Sequence, residues 1–171
     1  TQEHSQPCGY LAVVSLFTND RERLHYVEQF GQAVLAADRR SPGLAARAHF
    51  GLAVAALLRK EGDAAERHYR ALLPRAGTLL GPHTLVAADR LLGRLARPRG
   101  DLTATVGHFD GALLFCRSAS FEPELGSGGY GYAALLQERQ DAGDGVRAAE
   151  LLDQARLLGE RLEMVPLQSR V

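Results

Sequence analysis

Large and small apolar residues recur down this chain with a spacing near forty. Phe30, Tyr69, Phe109 and Leu152 mark the repeat. Four residues before them stand Tyr26, Ala65, Thr105 and Ala148, and three residues after them Ala33, Leu72, Ala112 and Ala155. Offsets of three and four place each set on one face of a helix. A bulky residue between smaller ones lets neighbouring helices approach closely. The fourth set is the most regular, with Leu151, Ala155, Leu158 and Leu162 forming a continuous stripe. These are the B helices of four helix pairs. The A helices are expected at about 8–18, 43–59, 83–97 and 124–140. The second, Leu44 to Leu58, carries only Arg47 and His49 among apolar and small residues, the pattern of a helix buried on nearly all sides. No alternating run is long enough to argue for a strand.

Two punctuation marks share the same period. Asn19-Asp20, Gly62-Asp63, Gly100-Asp101 and Gly143-Asp144 form one series, and Pro7, Pro42, Pro82 and Pro123 the other. Gly or Asn accepts the left-handed conformation that ends a helix. The Asp that follows is able to cap the next helix through its free backbone N–H groups. Proline, with a fixed φ and no N–H, suits a helix's first turn. The expectation is therefore all-α: four antiparallel helix pairs, stacked as a short right-handed α-solenoid. Their units fall at approximately 7–41, 42–81, 82–122 and 123–167 within a single domain, 1–171. Such a unit buries its apolar face only against its neighbours.

Residues 99–117, RGDLTATVGHFDGALLFCR, and 121–167, from FEPELGSGGYGYAALL to RLEMVPL, carry a resemblance. They are similar to tetratricopeptide-like repeats in the C-terminal region of bacterial multidomain signalling proteins. There an AAA-type ATPase accompanies a nucleotide cyclase or a LuxR-type regulator. Thr105 replaces the Ala of that pattern, and Gly128, Gly129 and Gly131 replace larger helix formers. The resemblance covers residues 85–167 well, and the first half by pattern only. It implies a regulatory module whose parent holds any enzymatic activity in other domains. No P-loop, cyclase or helix-turn-helix segment occurs here.

Composition narrows the partners. Twenty basic and 20 acidic residues give a formal net charge of zero, with no general pull toward nucleic acid or an anionic membrane. The longest apolar runs, Tyr10–Phe17 and Gly51–Leu58, fall short of the roughly 20 residues that span a bilayer. No signal peptide is recognised, and two cysteines make no disulfide framework. Cys116 reads as a buried small hydrophobe, and a bridge to Cys8 is not expected. The chain reads as cytoplasmic. It begins with Thr and holds only Met164, so it is expected to be a piece of a longer protein.

Candidate chemistry is sparse. The run Gly126-Ser-Gly-Gly-Tyr-Gly131 lacks the strand before it and the GKS or GKT after it that a phosphate loop needs, so close helix packing is expected. Six histidines form no metal-ligating pattern. His68 and His108 occupy one repeat position, which argues for a structural role. Ser118 and Ser120 have no His and carboxylate arranged to activate them. Glu122 and Glu124 suit a helix entry. No cofactor, metal site or catalytic residue is expected. The one binding candidate is Arg90, Arg94 and Arg97 at i, i+4 and i+7, extended by Arg99, with Ser127 and Tyr130 on the next A helix. Arg forks there would take an acidic peptide or a carboxylate terminus.

Function is therefore expected to be non-catalytic. The partner is a protein, a peptide or other domains of the parent chain, bound on the inner surface. Nucleic acid and membrane are excluded for this segment, and exposed repeat ends offer a homodimer contact. The alternative is a small-molecule effector-sensing domain of the same architecture.

Overall fold

The computed structural model describes residues 11–15, 23–37, 41–80 and 85–171. The predictions for Pro7, Cys8, Asn19-Asp20 and Pro82 lie outside those residues. The described chain is helical. The helices are α1 (Leu24–Ala36), α2 (Pro42–Arg59), α3 (Gly62–Leu72), α4 (Ala88–Ala96), α5 (Leu102–Ser118), α6 (Glu122–Arg139), α7 (Asp144–Arg161) and the short α8 (Val165–Gln168). Residues 11–15 are also helical, and 3-10 turns at Leu73–Arg75 and Arg97–Arg99 close α3 and α4. Among the described residues, extended pairing is limited to one antiparallel bridge, Leu79 with Ala87.

Two compact units divide the chain, the first ending at Thr105 and the second running from Val106 to Val171. In the first, α1 packs on α2, α2 on α3, and α3 on α4. Its core gathers Val27, Phe50, Val54, Tyr69, Leu72, Val86, Leu91, Leu92 and Leu95, with Ala53, Ala56, Ala65, Ala88 and Ala96 among them. Every residue from Phe50 to Ala56 is buried, as the sparse polarity of that helix requires. In the second unit α6 packs on α7, and α8 folds back on α7. Leu113, Leu136, Leu151 and Ala155 are buried there, and Phe109 stacks on Tyr132 with ring centroids 5.3 Å apart.

The recurring register holds in the later B helices. Ala65, Tyr69 and Leu72 are buried, as are Thr105, Phe109 and Ala112, and Ala148 and Ala155. It fails in α1, which buries Leu24, Val27 and Gly31 and leaves Tyr26 49% exposed. In α7 the fully buried leucine is Leu151, with Leu152 half-buried. The third A helix runs from Ala88, and Ala87 before it pairs with Leu79 in the extended bridge; the expected start near 83 lies outside the described residues.

Proline opens α2 at its first position, where the Ser41 hydroxyl accepts from the Leu44 amide at 3.2 Å. Pro123 sits in the first turn of α6. The Gly-Asp steps are not equivalent. Gly100 is left-handed (φ 72°), and the Asp101 carboxylate accepts from the Ala104 amide, as the capping argument expects. Gly62 instead lies inside α3, and the left-handed residue ending α2 is Lys60 (φ 61°). Gly143 is left-handed (φ 88°), but Asp144 makes no cap. Its carboxylate turns back to Arg139 and to the Asp141 amide.

Candidate functional site

The basic stripe divides by exposure. Arg90, in the first turn of α4, is 6% exposed and stands beside the equally buried Asp89. The Asp89 carboxylate accepts from the Gly77 amide, which anchors the segment between α3 and α4. Arg94 is half-buried and Arg97, in the 3-10 turn, is exposed.

Arg99 is engaged within its own unit. Its Nε lies 2.6 Å from Glu66 Oε2, and its guanidinium sits 4.5 Å above the Tyr69 ring. The Glu66 contact is one of charge, since that oxygen accepts no aligned hydrogen bond. Glu66 also accepts from Arg70 Nε at 2.6 Å. One carboxylate and one aromatic face thus hold Arg99 in place.

Ser127 and Tyr130 belong to the second unit. Ser127 is 7% exposed, and its hydroxyl donates to the Pro123 carbonyl at 3.0 Å, turned onto its own helix. Tyr130 is half-buried. Of the five candidates, Arg94, Arg97 and Tyr130 therefore reach solvent.

The glycine run is an ordinary part of α6. A Cβ at Gly126 would come 2.9 Å from Leu167, and one at Gly129 would come 3.5 Å from the Leu151 carbonyl. The missing side chains let α6 lie close to α7 and α8, which is the packing role expected of them. Glu122, in the first turn of α6, accepts from Arg161 at 2.7 Å. A shallow hollow beside it is lined by Leu125, Leu157 and Leu158 with Glu150 and Asp153 at the rim. Those rim acids are matched by Arg147 (3.3 Å) and Arg156 (2.8 Å). Ser118 donates to the Phe115 carbonyl, and Cys116 is buried.

Two polar arrangements were not legible as sites. The first joins His49 of α2 to His68 of α3, with Nδ1 to Nδ1 at 3.1 Å. His68 is 9% exposed, and its pKa is lowered to about 4, first by burial, then by His49 and Arg67. A lone histidine in the apolar run of α2 was the available signal, but no rule of spacing paired it with His68. The second is Arg139 with Asp144, bonded through Nε at 2.8 Å and Nη2 at 2.6 Å. The Arg139 hydrogen bonds hold the Asp144 carboxyl below its ordinary range. Burial, and then Asp110, push the Tyr132 phenol up.

Among the described residues, no three His, Cys, Asp or Glu side chains gather closely enough to hold a metal ion. No described helix is long and apolar enough to cross a membrane. No protein-family model, curated protein or solved structure matches the chain.

Proposed function

We propose that this chain is a non-catalytic interaction and regulatory module of a larger bacterial signalling or transcription-regulating protein. In this reading it is a tetratricopeptide-like solenoid of about four helix pairs. It binds an acidic protein or peptide segment through Arg94 and Arg97. The observation that supports the architecture is the shared burial register of α3, α5 and α7, with small residues on either side of a larger one. Helices that pack on their sequence neighbours, as α1 to α4 do, fit the same reading. The resemblance of residues 85–167 to signalling-protein repeats supports the regulatory role.

The binding surface rests on exposure. Arg94 is half-buried and Arg97 exposed, and two guanidinium forks in adjacent turns suit paired carboxylates. Arg90 is too deeply buried to serve, so replacing it would measure folding rather than binding.

Fluorescence anisotropy with Glu-rich and Lys-rich peptides of equal length tests the reading. The Glu-rich peptide is expected to bind, more weakly as salt rises. Combined Arg94→Glu and Arg97→Glu substitution is expected to weaken it at least about tenfold, since two charge-assisted contacts are reversed. An unchanged circular dichroism spectrum would show that the variant still folds. Equal affinity for both peptides, or for both proteins, would overturn the assignment.

A further inference from the structure

We propose that the His49–His68 contact is an acid-sensitive latch between α2 and α3 that tolerates one added proton and opens on the second. The geometry sets this rule. Two Nδ1 atoms 3.1 Å apart need one N–H and one lone pair between them. In the neutral pair one ring donates and the other accepts. His49 is half-buried and His68 buried, so the first proton goes to His49. His49 is then a donor at both nitrogens, and His68 Nδ1 still accepts; the bond becomes charge-assisted. A second proton on His68 removes the accepting lone pair. Two N–H groups and two positive charges then oppose each other inside a helix–helix contact.

The charges acting on His68 oppose a second proton. Arg67, next to His68, opposes the second proton, as His49 does. Among the described carboxylates of α1, α3 and α4, Glu28 is held by Arg59 at 2.7 Å, Glu66 by Arg70 and Arg99, and Asp89 by the Gly77 amide. Asp63, in the first turn of α3, is exposed to solvent. The lowered His68 pKa, about 4, agrees with this arrangement.

The two histidines titrate as a pair, and their apparent midpoints belong to the pair. The test follows their imidazole C–H resonances from pH 8 to pH 3.5 in the full chain, with amide hydrogen exchange at each pH. The first step is expected to leave the α2 and α3 amides protected. The second is expected to speed their exchange at least about tenfold beyond the intrinsic pH effect. His68→Leu is expected to keep protection at neutral pH and to lose the second step. Its comparison with the unsubstituted chain separates the latch from carboxylates that titrate in the same window. A single step in the ordinary histidine range would overturn the proposal. Loosening at the first step, or the same acid response in His68→Leu, would do so too. If His68→Leu does not fold, the order of the two steps in the unsubstituted chain decides alone.

Discussion

A methyl group added at Gly31 would come 2.8 Å from Leu52 Cγ, closer than carbon atoms pack. Gly31 lies in the buried face of α1, and Leu52 in the run of α2 that is buried throughout. Alanine favours the helix by up to about 1 kcal/mol over glycine. Overpacking a filled core costs about 1–3 kcal/mol. Sterics win here, and Gly31→Ala is expected to lower stability by about 1 kcal/mol. Gly107 makes the opposite case. It is exposed in α5, and a Cβ there would meet nothing within 4 Å. Gly107→Ala is expected to raise stability by about 0.5–1 kcal/mol, since only the backbone entropy term remains. Urea denaturation of the two variants checks both signs; a stabilising Gly31→Ala would contradict the packing at Gly31, and a destabilising Gly107→Ala the open space at Gly107. The sequence shows both residues as glycines inside helical patterns and does not separate them. What separates them is Leu52, 21 residues away on another helix, and no local pattern encodes that approach.

Element boundaries were legible where the decisive atoms are local. Pro42 opens α2 and Gly100-Asp101 ends one helix and caps the next, because the required φ and the capping oxygen are properties of those residues. The same dipeptide misled at Gly143-Asp144, where a partner from the preceding helix intervenes. Arg139 reaches Asp144 with two hydrogen bonds, and the Asp141 amide supplies a third at 2.9 Å. The α6–α7 turn is thereby fixed by a nearly buried carboxylate rather than by a cap. Linkage follows from the direction of the shift. A carboxyl whose folded pKa is depressed contributes stability above the unfolded carboxylate range, and that contribution is lost as pH falls through the folded value. Asp144→Asn is therefore expected to lower the melting temperature at neutral pH. The gap to the unsubstituted protein should narrow as pH drops below about 4, near the unfolded Asp value. Melting curves taken from pH 7 to pH 3 test this, and a gap independent of pH would rule out the charged fork as its source. The candidate binding stripe was legible only in part for a related reason. Heptad-like spacing put Arg90, Arg94 and Arg97 in a row, but at the start of α4 Asp89 accepts from the Gly77 amide and Arg90 beside it is buried.

At the scale of the molecule, the all-α class follows from apolar periodicity, and the division into two compact units near Thr105 does not follow from the period of the repeat. The division falls within α5, where no proline, glycine pair or change of composition marks it. Among the described residues, the buried core around Phe50, Leu72 and Leu91 draws only on the first unit, from Ala12 to Ala96. In a chain stabilised by contacts between successive helices, damage is felt by neighbours and fades along the stack. In a chain with one cooperative core, every protected amide reports the same opening. Leu151 distinguishes these cases. It is 1% exposed on α7 and touches the glycine face of α6. Leu151→Ala removes about 2–5 kcal/mol of packing. The nearest-neighbour account expects faster amide exchange throughout α6 and α7, with α2 and α3 unchanged. If protection in α2 and α3 fell by the same free energy, the units would open together, and stacking of successive pairs would no longer describe the stability of the molecule. A loss confined to α6 and α7 would instead assign each unit its own opening energy. A partner held by Arg94 and Arg97, both in the first unit, would then raise protection there without altering α6 or α7.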